Sequence, residues 1–170
     1  MLIVSGTGRK GNQTDKAATY LAHVAKSKGF VVNEVHVSDY LWGQTVPGRM
    51  DDARTAPWKA KVKAADVVVI ISPEYNHGYP GELKILLDGA YAEYEGMPMA
   101  ICGVSMGPFG GVRAVEQLRH VALELHARIL KAALYFSNVT TAFDAEGNPV
   151  DDALKTRVAD FVDNVVGEIT

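Results

Sequence analysis

The sequence predicts an α/β fold in which a five-stranded parallel sheet is covered by helices on both faces, a three-layer sandwich. Short apolar or β-branched runs alternate about five times with longer segments of helical periodicity along the 170 residues. Such alternation is typical of parallel strands that are joined by crossover helices. The length suits a single domain, residues 1–170, and 48% hydrophobic with 22% charged residues is an ordinary globular composition.

The first third of the chain predicts two strands and one helix. A short apolar run, Leu2–Val4, is followed by glycines and then by a predicted helix from Thr14 to Ser27. The apolar residues of this helix repeat at helical spacing: Ala17, Leu21 and Val24. Gly29 ends the helix, as a C-terminal glycine usually does, and Phe30–Val37 is predicted to be the second strand. Residues 38–54 have no clean period and are expected to form a loop.

The middle of the chain predicts helix, strand, helix and strand in turn. A helix is expected to start at Thr55, where Pro57 is suited to its first turn. Val67–Ile71 is an uninterrupted apolar run of the kind that is buried on both faces of a parallel sheet. Pro80 opens the next helix, and Met97–Val104 is the fourth predicted strand.

The last third predicts a helix, a fifth strand and a closing helix. Gly111–Ala127 has apolar residues spaced three and four apart, and Ile129–Phe136 is the fifth strand. Leu154–Val165 forms one apolar face of the closing helix, which follows two acidic residues. Five strands favour an open, flavodoxin-like sheet over a closed barrel, which needs about 250 residues.

Charge and cysteine content exclude several classes of protein. A net charge of −3 is a poor electrostatic footprint for nucleic acid and argues against docking on an anionic membrane. The single cysteine allows no intrachain disulfide and no multi-cysteine metal site. The apolar opening Met1–Val4 is too short for a signal peptide core, so we expect a cytoplasmic protein without a bound metal.

Three loops leave the carboxyl ends of predicted strands, where open α/β sheets bind their ligands. The first, Gly6–Thr14, has three glycines that allow a tight turn and aim backbone N–H groups at one point. The start of the following helix adds free amides, and Arg9 adds a cation. This loop predicts a phosphate site, with an ordinary polar strand-to-helix turn as the alternative.

The second loop, Ser72–Gly81, combines prolines with aromatic and polar side chains. Tyr75 and Tyr79 offer flat apolar surface, and Asn76 offers hydrogen-bond donors and acceptors. A flat heteroaromatic ligand needs such a mixture, although a rigid structural loop would have the same composition. Glu74 is either a general base or an exposed or capping carboxylate.

The third loop, Ser105–Gly111, is built of small residues that allow close approach to its backbone, and by itself it is a weak signal. Cys102 lies inside the preceding apolar strand, and we expect a buried, unreactive thiol.

At these loops the chain resembles the NADPH-dependent FMN reductases, a flavodoxin-like family that includes quinone, azo-dye and chromate reductases. The first loop of the family, Gly-Ser-x-Arg-x-x-Ser-x-Asn, is similar to Gly6–Thr14. Its Pro-Glu-Tyr-Asn block is found at Pro73–Asn76, and its Pro-Gly-x-Leu-Lys stretch at Pro80–Lys84. Ser105–Ala114 is similar to the third loop of the family and the helix after it.

Several positions depart from the family pattern, among them the pair Ile85-Leu86, which replaces a pair that usually contains a polar residue. Thr7 and Asn12 replace serines, and Thr14 replaces an asparagine, so that polar character is kept at each position. Gly89 stands where an aromatic residue is common, on a helix that often faces a second subunit in the family.

The resemblance implies non-covalent FMN, with its phosphate in Gly6–Thr14 and its ring between Pro73–Asn76 and Ser105–Gly111. NADPH or NADH would give a hydride to flavin N5, and a small acceptor such as a quinone, free flavin, azo compound or metal oxyanion would receive it. Because the ring carries this chemistry, we expect no catalytic acid or base from the chain. The expected cofactor-binding residues are Thr7, Arg9, Asn12, Gln13, Thr14, Pro73, Glu74, Tyr75, Asn76, Ser105, Gly107, Gly110 and Gly111. The resemblance also implies a homodimer or homotetramer.

Two other classes of function remain open at this point. A non-catalytic electron carrier on the same fold would pass single electrons between proteins, and a flavin-free module would use the fold only for binding. The modest net charge and Arg9 favour the enzyme. Arg113 is a candidate contact for a nucleotide phosphate or a partner subunit, or else a member of a surface ion pair.

Overall fold

A computed structural model, which describes residues 1–170, contains one sheet of five parallel strands. The strands are β1 (Leu2–Ser5), β2 (Asn33–His36), β3 (Val68–Pro73), β4 (Pro98–Val104) and β5 (Arg128–Phe136). Their order across the sheet is β2-β1-β3-β4-β5, with every neighbouring pair parallel. This is the predicted flavodoxin-like sheet.

Helices cover both faces of the sheet and complete the predicted three layers. They are α1 (Thr14–Ser27), α2 (Ala56–Lys63), α3 (Gly81–Asp88), α4 (Val112–Glu124), α5 (Val139–Ala142) and α6 (Asp152–Ile169). The apolar sides of α1 and α6 share one core, and those of α2, α3 and α4 share the core on the opposite face. None of these helices combines the length and the apolar character needed to cross a bilayer.

The central strand explains why the strand sequences are continuously apolar. Every residue of β3 is buried, and successive side chains enter opposite cores: Val69 and Ile71 pack with α1 and α6, whereas Val68 and Ile70 pack with the other three helices. Because helices cover both faces, a polar side chain on a central strand would be removed from water, which is unfavourable unless it finds a hydrogen-bond partner.

The second strand is shorter than predicted, and the prediction of Phe30–Val37 was wrong at both ends. The amide of Phe30 donates to the Ala25 carbonyl and so closes the end of α1, and Val31 is 89% exposed. Pairing with β1 is limited to the four residues that β1 offers, and Val37–Tyr40 turns into a 3-10 helix. Register with a neighbour, rather than β propensity, therefore sets the length of this edge strand.

The short elements left no signal in the sequence. The helix α5 and the 3-10 turns Val37–Tyr40 and Ala92–Tyr94 were missed, because three or four residues show no period. Residues 41–50 otherwise follow an irregular path that packs on the end of α3. There the six-membered ring of Trp42 lies so close to Gly89 that a Cβ at position 89 would be 2.4 Å from it.

At the other edge of the sheet, a carboxylate completes the hydrogen bonding of β5. The β4–β5 register shifts between Met99 and Ile101, so that β5 carries extra residues there. Glu168 of α6 accepts hydrogen bonds from the amides of Lys131 and Ala132, each at 2.7 Å. One side chain of α6 thereby gives two amides of the edge strand β5 an acceptor.

Candidate functional site

The three predicted loops meet at one edge of the sheet, at the point where the strand order reverses. From β1 the chain runs outward to β2 on one side, and β3 returns on the other side of β1. A cleft of about 250 Å³ lies beyond these strand ends and is lined from all three loops and from α5. The predicted residues that line it are Arg9, Asn12, Gln13, Thr14, Pro73, Glu74, Tyr75 and Ser105.

The floor of one end of the cleft is a row of unpaired backbone amides. The N–H groups of residues 11–14 donate to no acceptor in the chain, and Gly11 reaches its turn with a φ of +70°. Thr14, the first residue of α1, is buried, where an unpaired amide is costly unless a ligand or water accepts its hydrogen bond. Consecutive free amides at a helix start suit an anion, and the exposed Arg9 side chain, which has no carboxylate partner, lies at the same place.

Asn12 shapes the loop from within, although its side chain was expected to donate to phosphate. Its Oδ1 accepts from the Asp15 amide, and its Nδ2 donates to the Arg9 carbonyl and to the Asp15 carboxylate. Both side-chain N–H groups are therefore used inside the chain. What the residue offers the cleft in this structure is its backbone amide.

The aromatic side of the cleft is formed by the second loop. The ring of Tyr75 faces Arg9, whose guanidinium carbon lies 5.8 Å from the ring centroid. The loop then reverses through Asn76 and His77, which have φ values of +50° and +65°, with two hydrogen bonds between Tyr75 and Gly78 closing the turn. Positive φ at both central positions is the geometry of a type I′ turn, and it is unusual for residues other than glycine. Asn76 itself is exposed at the tip of the turn and does not line the cleft.

The third loop contributes to the wall of the same cleft. Ser105 lines the cleft and donates from Oγ to the Gly107 carbonyl, while the amide of Gly107 has no acceptor in the chain. Met106, which sequence reasoning did not single out, stands 74% exposed at the rim. The sequence offered no signal for Met106 beyond its position between two predicted residues.

Close packing accounts for the two glycines at the end of this loop. A Cβ on Gly110 would lie 2.7 Å from the Tyr135 Cβ, and one on Gly111 would lie 2.7 Å from the Val104 nitrogen. Both residues also have positive φ, +62° and +86°. They let the loop press against β4 and β5, and they do not line the cleft.

The sequence left the role of Glu74 open, and in the structure its side chain is a capping carboxylate. Its carboxylate accepts from the backbone amide of Arg113, the second residue of α4, at 3.0 Å and from the guanidinium of the same residue at 3.1 Å. The same contact makes Arg113 a member of an ion pair, one of its three candidate roles. The pair fixes the second loop to the start of α4.

Two further features lie outside the cleft. A larger cavity of about 410 Å³ is bounded by the outer face of α1 and by residues 145–148, and none of the loops that follow β3 and β4 reaches it. Cys102 is fully buried, so its predicted burial is confirmed, and desolvation raises the pKa of its thiol.

A sheet of this order, with free amides after the first strand and an aromatic loop after the third, defines a flavodoxin-like protein suited to a flavin nucleotide. The family model of the NADPH-dependent FMN reductases matches residues 1–141, and the chain belongs to that family. It is therefore an FMN-dependent NAD(P)H oxidoreductase.

Individual relatives agree with this assignment. An NAD(P)H-dependent FMN reductase of Schizosaccharomyces pombe is 33% identical over 138 residues, which cover 76% of this chain and 68% of that protein. A 2-hydroxy-1,4-benzoquinone reductase of a Burkholderia species is 29% identical, over 95% of this chain and 91% of that protein. Among solved structures, the flavoenzyme NAD(P)H:acceptor oxidoreductase FerB of Paracoccus denitrificans superposes with a TM-score of 0.81 at 25% identity, covering 99% of this chain and 95% of that one.

Proposed function

We propose that residues 1–170 act as one FMN-binding domain that passes a hydride from NADPH or NADH to a quinone-type acceptor. The observation that carries this proposal is the row of unpaired amides at residues 11–14, which meets an aromatic loop in a single cleft. A phosphate accepts hydrogen bonds from such amides, and a flat ring packs on Tyr75. Other compounds that accept electrons from reduced flavins, including free flavin, azo compounds and metal oxyanions, belong to the same proposal.

The phosphate of FMN is held at the start of α1 in this proposal. The amides of residues 11–14 donate to its oxygens, and the guanidinium of Arg9 adds a charge-assisted hydrogen bond. The side chains of Gln13 and Thr14 line the same end of the cleft and supply further donors. Thr7 and Asn12 contribute by holding the loop in shape, since their polar atoms already bond within the chain.

The ring is held between the second and third loops. Pro73 and Tyr75 provide its apolar contact on one side, and Ser105 with Met106 bounds the other. The amides of Asn76 and Gly107, which have no acceptor in the chain, are the donors proposed to stabilise negative charge on the reduced ring. When bound, FMN supplies the atom that accepts and returns the hydride, and the chain supplies orientation and charge.

The proposed acceptor is a small quinone. The rim of the cleft is open and carries the exposed Met106 side chain, which suits a flat, partly apolar molecule. The Burkholderia relative reduces a benzoquinone according to its name, and it aligns with 95% of this chain.

A homodimer or homotetramer and a cytoplasmic location complete the proposal. Met106 and Phe109 expose large apolar surface beside the cleft, as a subunit contact there would require. The single cysteine suits a reducing compartment. Sedimentation velocity at micromolar protein concentration tests the assembly, and a purely monomeric species would contradict it.

The visible spectrum of the purified protein, before and after addition of FMN, tests the cofactor directly. We expect flavin absorbance that stays with the protein on gel filtration, and NAD(P)H oxidation by the loaded protein when a benzoquinone is added. Bound flavin without turnover would favour the electron carrier. A colourless protein that does not quench FMN fluorescence would favour the flavin-free module.

A further inference from the structure

Around the first loop, four hydrogen bonds converge on one threonine and one glutamate, neither of which lines the cleft. The Thr7 hydroxyl lies 3.1 Å from Oε1 of Glu82, and the amide of Gly8 donates to the same oxygen, also at 3.1 Å. The Tyr75 hydroxyl is 3.2 Å from Thr7 Oγ1, and the Arg9 amide donates to that Oγ1 at 3.2 Å. The cluster joins the first loop, the second loop and the first turn of α3.

The chemistry of the groups fixes the direction of these bonds. An ionised carboxylate only accepts, so the single proton of the Thr7 hydroxyl points to Glu82. Thr7 Oγ1 therefore accepts from the Tyr75 hydroxyl and from the Arg9 amide. Because Thr7 is only 2% exposed, loss of the carboxylate would remove the acceptor of its hydroxyl in a place that water barely reaches, and the hydroxyl could then turn only to the Tyr75 hydroxyl oxygen.

We propose that Glu82 is a positioning residue for the FMN site. Its carboxylate holds Thr7 and Gly8 against α3, and this contact turns the amides of residues 11–14 and the Arg9 side chain toward the cleft. The Tyr75 hydroxyl bonds to Thr7 and not to Glu82, so the ring that lines the cleft keeps this partner when Glu82 is replaced. The inference rests on the proposed function, because it assumes that FMN occupies this cleft.

Packing next to the cluster supports a fixed, rather than an adaptable, loop. A Cβ on Gly6 would lie 2.8 Å from the Ile71 carbonyl oxygen and 3.0 Å from a methyl group of Leu83, the residue after Glu82. The first loop therefore packs against β3 and α3 at Gly6 and is hydrogen-bonded to α3 at Thr7 and Gly8. Glu82 itself is half-buried and does not line the cleft, so its effect on FMN passes through Thr7 and Gly8.

Titrations with FMN and with riboflavin distinguish this role from general damage to the fold. The two ligands share a ring, but only FMN has the phosphate that the first loop holds. We expect Glu82→Ala to weaken FMN binding by about tenfold or more, the loss typical of a hydrogen bond to a charged group. Riboflavin should weaken by less than about threefold, which is under 1 kcal/mol. Glu82→Gln, which keeps an acceptor oxygen, should lie between wild type and Glu82→Ala.

Thr7 provides an independent route to the same result. Thr7→Val removes the bond to Glu82 and should also lower the ratio of FMN to riboflavin affinity, whereas Thr7→Ser keeps the hydroxyl and should restore it. Because the two residues act as one unit, the double variant of Thr7→Val and Glu82→Ala should be little worse than either single variant. The control is Glu124→Ala, which removes the same charge from an exposed position of α4.

An FMN affinity of Glu82→Ala that matches Glu124→Ala would overturn the inference, and so would an equal loss for FMN and riboflavin. If Glu82→Ala does not fold, the ratio of FMN to riboflavin affinity of Thr7→Val tests the inference instead. A wild-type protein that binds no FMN would refute the proposed function itself. Wild-type binding with an unchanged Glu82→Ala variant would refute only the role of Glu82.

Discussion

Replacing Arg9 by alanine tests whether the first loop holds a phosphate. The Arg9 side chain is exposed, has no carboxylate partner, and contacts only the face of Tyr75 at 5.8 Å. A cation over an exposed ring contributes only about 0.5–1 kcal/mol, so the variant should fold with a nearly normal melting temperature. The loss should fall on the complex with FMN.

The size of that loss follows from the kind of bond that Arg9 can make. A hydrogen bond between charged groups contributes about 1.5–3 kcal/mol, which corresponds to an increase of about 10- to 150-fold in the Kd for FMN. Arg9→Lys keeps the charge but loses the forked donor geometry, so it should recover part of the affinity. Quenching of flavin fluorescence in a titration at low salt gives the Kd directly.

The chain contains a matched control for this experiment. Arg49 is also exposed and lies over a tyrosine ring, with its guanidinium carbon 4.0 Å from the centroid of Tyr91, but it does not line the cleft. Arg49→Ala removes the same charge and the same type of contact and should leave FMN affinity unchanged. Equal affinities of the Arg9→Ala and Arg49→Ala proteins, or an equal loss of riboflavin affinity in Arg9→Ala, would refute the assignment of the phosphate to this loop.

Three further predictions concern hydrogen bonding, packing and burial away from the cleft. Glu168→Ala leaves two amides of β5 without their acceptor and should lower the free energy of unfolding by about 1.5–3 kcal/mol in urea titrations. A change below about 0.5 kcal/mol would contradict the contribution of this contact. Gly89→Ala introduces a Cβ 2.4 Å from the Trp42 ring and should lower the free energy of unfolding by about 1–3 kcal/mol, although the φ of −71° at this position suits alanine. This loss of stability should disappear when Trp42→Ala is also present, and its persistence would point to another cause. Cys102 should not react with a thiol reagent at pH 8 until the protein unfolds, because burial raises the pKa of the thiol; fast labelling of the folded protein would contradict its burial.

The order of elements and the place of the site could be read from the sequence because both depend on local pattern. The apolar runs of β3 and β4 and the helical spacing in α1, α4 and α6 are properties of neighbouring residues. The rule that ligands bind beyond parallel strand ends then selects three loops, and the structure brings residues of all three into one cleft. The Pro-Glu-Tyr-Asn block at Pro73–Asn76 indicated the protein family.

The length of β2 could not be read in this way. Phe30, Val31 and Val32 have the composition of a strand, but β1 offers only four residues for pairing. Whether a β-branched run extends depends on which neighbour it meets, and that neighbour lies some 30 positions away in the chain. For the same reason the contact of Trp42 with Gly89 left no trace in the sequence pattern.

The sequence by itself determined which polar residues lie in the loops near the cleft, because the residue types and their spacing along the chain are known from it. Only the tertiary structure decided what each of them bonds to. Thr7, Asn12 and Glu74 had been assigned to a cofactor, yet their side chains bond to Glu82, Asp15 and Arg113 within the chain. A hydroxyl or a carboxylate bonds to whichever partner lies within about 3 Å, and folding alone brings Thr7 to a residue 75 positions further along.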